Sequence, residues 1–281
     1  MAGTLHIVGT PIGNLGDISA RAIDTLKTVK AIAAEDTGHV QRLLKRFDIH
    51  VKTVSFREEN RDHALGVVVD LLAEGDVALV TDAGMPCVSD PGAHLVAGVR
   101  AAGFKVRVVP GPSACDSAFS LSGFASNGFV FLGFPPRERA AKMEIISKAS
   151  NIMLPVIMYE SPNRVRKTLE DARDALGDVE VVLARELTKI YEEVVSGRIT
   201  EVLSTLPPEP LGEFVVVLRP EPKNDTPDIE AVRREIERAI GEGRGLKEIS
   251  KMVSAVYGMG SKDAYSLALS IKDEKALDEP G

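Results

Sequence analysis

The chain has 281 residues, 44% hydrophobic and 27% charged, with a net charge of −7 and a pI near 5.4. That length suits two domains and an appendage. The acidic balance argues against a protein that coats nucleic acid non-specifically, though not against one that meets RNA through a local basic patch.

The predicted elements alternate from the start. Leu5–Val8, Ala31–Ala34, Val51–Phe56, Val77–Val80 and Val106–Val109 read as buried strands. Helical patterns at 20–29, 39–47, 62–73 and 94–102 lie between them. Strands alternating with amphipathic helices predict βαβ units and a mainly parallel sheet, an α/β fold. Pro110-Gly111-Pro112 ends the fifth strand, and a helix is expected over 113–121. A second series of strands follows at 129–132, 156–159, 179–184, 192–196 and 213–218, with helices at 140–149 and 163–176. This half reads as shorter in its helices and as a mixed sheet. The boundaries drawn are 1–122 for the first α/β domain, 123–220 for the second and 228–273 for a helical tail. The proline-rich stretch 219–228 reads as a linker. Helices are expected at 229–241, 246–257 and 261–271, with Gly258 and Gly260 marking the last turn and a frayed end from Asp273. The tail suits a helix-turn-helix or a small helical packing element equally well.

Met1–Val8 has neither a basic start nor a long apolar run, no stretch is apolar enough to span a bilayer, and there are only two cysteines, Cys87 and Cys115. A cytoplasmic location without disulfides is therefore expected. The five histidines are scattered and none pairs with a cysteine at ligand spacing, so no metal is expected.

Three special loops follow three strands. Gly9-Thr10-Pro11-Ile12-Gly13-Asn14-Leu15-Gly16 lacks both the GK[ST] ending of a P-loop and GxGxxG spacing. Thr81-Asp82-Ala83-Gly84-Met85-Pro86 runs on to Ser89-Asp90-Pro91-Gly92. Pro110-Gly111-Pro112-Ser113-Ala114 ends the fifth strand. Any one of them could be a tight turn. Three at the carboxyl ends of strands mark a ligand crevice. Glu35-Asp36-Thr37, Tyr159-Glu160-Ser161-Pro162 and Arg185-Glu186-Leu187-Thr188-Lys189 end further strands. Basic residues gather at Arg42, Lys45 and Arg46, at Arg137, Arg139 and Lys142, and at Arg164, Arg166 and Lys167. These are solvated helix faces or a phosphate-contacting strip. With no tryptophan and 5% aromatics, base stacking is not expected to dominate recognition.

The segments LHIVGTPIGNLGDISARA, IAAEDTGHVQRLLKRF, VALVTDAGMPCVSDPG, VVPGPSA, GFPPR, YESPNRV, LARELTK and GEFVVVL occur in that order. Together they resemble the ribosomal RNA small subunit methyltransferase I (RsmI) family of the tetrapyrrole (corrin/porphyrin) methylase superfamily. The resemblance implies two α/β domains of tetrapyrrole-methylase type around a cleft for S-adenosylmethionine (SAM). It implies 2′-O-methylation of a decoding-centre cytidine, position 1402 of 16S rRNA, on the small ribosomal subunit, by a homodimer. It places Pro11, Asp82, Ala83, Gly84, Ser113, Ala114, Tyr159 and Leu187 at the cofactor. The pattern departs at Gly38, where the family has arginine, and at Met85, where it has threonine. Neither departure is expected to touch the backbone contacts to SAM.

A ribose hydroxyl needs its proton accepted before it attacks, so a carboxylate or a neutral lysine is sought. Glu35, Asp36, Glu186 and Lys189 are the candidates, with Glu35 or Glu186 as base and Arg185 or Lys189 placing a phosphate. Arg42, Arg137, Arg164 and Arg185 are the expected RNA contacts. The alternative is a SAM-dependent methylase of a tetrapyrrole, which shares the fold and the loops.

Overall fold

The computed structural model describes residues 2–222, 229–257 and 259–278. It comprises two units, Met1–Glu221 and Pro222–Gly281. Most of the predicted linker (223–228), Gly258 and the last three residues lie outside the described residues.

The first sheet joins β1 (Thr4–Val8), β2 (Ala31–Ala34), β3 (Lys52–Ser55), β4 (Val77–Val80) and β5 (Lys105–Val109) in the order β3-β2-β4-β1-β5, all parallel. Every residue of β2 and β4 is buried, as an α/β sheet covered on both faces requires. Helices α1 (Ala20–Thr28) and α2 (Thr37–Arg46) cover one face, with Leu26, Val40, Leu43 and Leu44 in its core. Helices α3 (Arg61–Glu74) and α4 (Ala93–Ala101) cover the other, with Val68, Leu72, Leu95 and Val99. Because the strands are parallel, all five carboxyl ends share one edge of the sheet.

The second sheet joins β6 (Val130–Phe131), β7 (Val156–Glu160), β8 (Glu180–Arg185), β9 (Glu193–Arg198) and β10 (Phe214–Arg219) in the order β6-β7-β10-β8-β9. Only β6 and β7 are parallel; the other pairs are antiparallel, so this sheet is mixed. One face packs on α6 (Arg139–Ser150), α7 (Pro162–Leu176) and α8 (Ile199–Thr205) through Ile146, Leu169 and Val202. Helix α8 was not expected. It has seven residues and buries only Ile199 and Val202, too little to show a helical period.

Helix α5 (Ala114–Ser122) follows β5 of the first sheet, yet its buried Cys115 and Ala118 pack on Ile157, Val182, Val215 and Val217 of the second. This helix therefore ties the two sheets together, and the loop before it spans the gap between them.

In the tail, α9 (Ile229–Gly241), α10 (Leu246–Tyr257) and α11 (Ser261–Asp278) bury a core of their own: Val232, Ile236, Ile249, Val253, Ala264, Ala268 and Ile271. Helix α11 continues to Asp278, well past the predicted end at residue 271.

Candidate active site

The glycine-rich loops are built against one another. Thr10 and Gly84 exchange backbone hydrogen bonds, N to O at 2.9 and 3.1 Å, joining the loop after β1 to the loop after β4. A Cβ on Gly9 would lie 2.7 Å from the Cα and N of Gly111, so the loops after β1 and β5 cross backbone to backbone. A Cβ on Gly13 would lie 2.9 Å from the Leu187 carbonyl oxygen, so the same loop also abuts the turn after β8. These close approaches explain why glycine stands at these places. Left-handed φ values at Gly84, Cys87, Ser89 and Gly92, and at Glu186 and Thr188, mark the two most contorted loops.

Between these loops lies a cleft of about 490 Å³. Ile12, Ala83, Gly84, Met85, Ser113 and Ala114 line it from the first half, and Tyr159, Leu187 and Val215 from the second. Six of the eight expected cofactor residues thus come together: Ala83, Gly84, Ser113, Ala114, Tyr159 and Leu187. The other two do not line it. Pro11 is buried, and its neighbour Ile12 reaches the cleft instead. Asp82 turns into an adjoining space. Met85 lines the cleft, so one departure from the family pattern falls at the site.

The adjoining space, about 570 Å³, is lined by Glu35, Asp36, Arg57, Glu59, Asp82, Ser89, Asp90 and Pro91. Ser89 and Asp90 line both, so the two adjoin. Burial first, then the charges of Asp82 and Asp90, raise the Glu35 carboxyl above its ordinary value. Asp90 is likewise raised, by burial and by Asp82. Asp36 does different work. Its carboxylate caps α2, accepting from the backbone N–H groups of Gly38 (2.7 Å) and His39 (3.1 Å). These bonds hold its carboxyl below its ordinary value.

Several residues of this space, Arg57, Glu59 and Asp90 among them, had no role in the sequence reading. Asp90 stood in a quoted loop without a role. Arg57 lies just beyond β3, whose pairing with β2 brings it to the same edge, and its Nε donates to the Glu35 carbonyl oxygen at 3.3 Å. A basic residue immediately after a strand was the available signal.

Glu186 and Lys189 lie outside both lining sets. They pair with each other, Oε1 to Nζ at 2.9 Å, and Lys189 also reaches Glu213 at 2.9 Å. Burial alone would lower the Lys189 ammonium. Its two carboxylate partners outweigh burial and hold it above its ordinary value. A neutral lysine is therefore not what this geometry provides. Burial would likewise raise Glu186, but Lys189 and the Glu213 N–H hold it below its ordinary value.

The expected RNA contacts divide. Arg42 and Arg137 are exposed. Arg164 instead braces the fold: it pairs with buried Glu160 at 3.2 Å and donates to the carbonyls of Pro135 and Pro136. Arg185 pairs with Glu193 at 2.9 Å and donates to the Leu211 carbonyl, on a different surface from the cleft. Lys142 is buried against Asp171 and Thr168, Arg139 holds Asp171 and Asp174, and Arg166 holds the carbonyls of Leu203, Leu206 and Pro207. Most of two basic sets thus serves internal bracing.

Two sheets joined through a loop-walled cleft define an α/β protein with a ligand site where its strand-end loops meet. The family model of the Tetrapyrrole (Corrin/Porphyrin) Methylases matches residues 4–203. Three relatives are each named ribosomal RNA small subunit methyltransferase I. That of Neisseria meningitidis serogroup A is 37% identical over 98% of this chain and 96% of its own length. That of Thermotoga maritima is 44% identical over 77% of this chain and 98% of its own. That of Bacillus subtilis is 35% identical over 94% of this chain and 93% of its own. The chain belongs to the ribosomal RNA small subunit methyltransferase I family of the tetrapyrrole methylases, and is a methyltransferase.

Proposed function

We propose that this methyltransferase uses SAM to methylate 16S rRNA in the small ribosomal subunit, on the 2′-hydroxyl of a decoding-centre cytidine. The observation that carries the reading is that a cofactor-sized cleft adjoins, at Ser89 and Asp90, a carboxylate-lined space holding Glu35. The relatives' names support the RNA as substrate class.

The residues present fit SAM. The cleft falls within the roughly 300–1,000 Å³ of small-molecule sites. Ile12, Met85, Val88, Leu187 and Val215 offer apolar walls to an adenine, Gly84 offers bare backbone, and Asp90 offers an acceptor to a cationic ligand. When bound, the cofactor supplies an electrophilic methyl group. The protein positions the hydroxyl, excludes water and takes the proton. Holding the oxygen about 3 Å from the methyl carbon is worth about 7–11 kcal/mol of the barrier. Glu35 is the proposed base, because a carboxylate made more basic by burial and like charges is a better proton acceptor. The Glu186–Lys189 pair braces the turn that carries Leu187, and exposed Arg42 and Arg137 meet RNA phosphate.

A homodimer in the cytoplasm, with domains at 1–122 and 123–220 and a tail at 228–273, belongs to the same reading. Among the described residues no helix is long and apolar enough to cross a membrane.

The test is methyl transfer from labelled SAM to undermethylated small subunits, followed by nucleoside mass spectrometry. New 2′-O-methylcytidine is expected. Label on a base, or transfer to a tetrapyrrole but not to RNA, would overturn the proposal.

A further inference from the structure

The tail carries a second charged groove, of about 550 Å³, lined by Lys247, Ser250, Lys251, Ser261, Lys262, Tyr265 and Ser266. Lys247 and Lys251 are one helical turn apart on α10, and Lys262 opens α11. The two helices are pinned at this place. Ser250 Oγ donates to the Ser261 carbonyl oxygen at 2.8 Å, and the Ser254 and Ser261 hydroxyls meet at 3.3 Å. The lysines are therefore displayed on a fixed frame.

Their charges have no internal use. Three arginines elsewhere in the tail are matched: Arg233 with Glu274 at 2.9 Å, Arg238 with Glu235 at 2.5 Å, Arg244 with Glu242 at 3.0 Å. Among the described residues, Lys247, Lys251 and Lys262 have no ion pair, and all three are exposed. The neighbouring carboxylates do not line the groove: Glu248 lies toward Arg244, 3.9 Å away, and Asp263 toward Gly260. Like charges one turn apart repel and weaken a helix slightly. An uncompensated trio beside three hydroxyls and a tyrosine suits an anion with several oxygens.

We propose that this groove binds consecutive backbone phosphates of RNA, an inference that rests on RNA being the substrate. Lysine ammonium groups contact phosphate oxygens, and the hydroxyls of Ser261, Tyr265 and Ser266 donate to the same chain. Such contacts give affinity without reading sequence.

The experiment compares the full-length protein with the triple variant Lys247→Gln, Lys251→Gln, Lys262→Gln, and with a control of equal charge change, Lys27→Gln, Lys52→Gln, Lys105→Gln. Affinity for naked 16S rRNA is measured across salt concentration, with SAM affinity and melting temperature checking the fold. The groove variant should bind roughly tenfold more weakly, with a salt slope shallower by about 2–3, while the control stays close to wild type. Equal slopes for groove variant and wild type overturn the inference, as does an equal loss in the control. Loss of binding confined to intact subunits, with naked RNA bound as before, overturns it in favour of a ribosomal protein partner. No outcome depends on methyl transfer, so failure of the substrate reading is seen separately.

Discussion

The hydroxyl of Tyr159, on β7 of the second sheet, accepts a hydrogen bond of 3.1 Å from the backbone N–H of Cys115, in the first turn of α5. This one bond joins the loop after the first sheet to a strand of the second. It also meets one of the free donors of a helix start, where the next, the Asp116 N–H, is met by Ser113 Oγ. Burial foremost pushes the tyrosine pKa up to about 12, so the hydroxyl stays neutral at working pH. Tyr159→Phe leaves a buried N–H without a partner and should cost about 1–3 kcal/mol. Because Tyr159 lines the cleft, as do Ser113 and Ala114 just before Cys115, SAM should raise the variant's melting temperature less than it raises the wild type's. An equal rise in both proteins would show that the bond does not shape the cofactor site.

Glu35 yields a prediction about pH. Its carboxyl is raised by burial and by Asp82 and Asp90, and a base must be ionised to act. The single-turnover rate should therefore climb with pH through a midpoint above 4.5, the ordinary glutamate value. Asp82→Asn removes one repelling charge and should move the midpoint down. Glu35→Gln should lower the rate by about 10²–10⁴-fold with SAM affinity kept. Retention of wild-type turnover in Glu35→Gln would falsify the role.

The Glu186–Lys189 pair predicts a stability profile. Glu186 is depressed in the folded state, so its contribution is present above 4.5 and is lost as pH falls through the lower folded value. Lys189 is raised, so its contribution is present below 10.5 and is lost as pH rises through the higher folded value. Lys189→Met should therefore cost about 1 kcal/mol at neutral pH. The deficit should shrink toward acid, where Glu186 protonates in both proteins. Urea melts at several pH values read this directly; a deficit constant down to strong acid would point to lost packing instead.

Two glycines should respond with opposite signs. In Gly9→Ala the new Cβ meets Gly111 backbone at 2.7 Å, which can yield only by parting the loops. A cost of about 1–3 kcal/mol is expected, with weaker SAM binding. Gly66 stands mid-helix in α3 with nothing within 4 Å of an added Cβ. Gly66→Ala should stabilise by up to about 1 kcal/mol through helix propensity. Thermal melts of both variants decide it.

Much of this was legible in the chain itself. Short buried runs such as Ala31–Ala34 and Val77–Val80 alternating with amphipathic helices determined the parallel first sheet, because period and burial are local properties. The quoted motifs carried the family, and the glycine-rich loops at strand ends marked the crevice. Only the tertiary structure decided which polar residue faces which. Glu35 and Arg57 are 22 positions apart, and Lys189 and Glu213 are 24 apart; each pair meets because separate strand ends share an edge. Arg137 and Arg164 lie in equally basic stretches. One is exposed and the other is spent on Glu160, since an ion pair depends on distances that spacing along the chain does not encode. The same holds for α5, which follows the first sheet in sequence and buries its apolar face in the second. An apolar stripe records that a helix must be covered, and the fold alone determines by what.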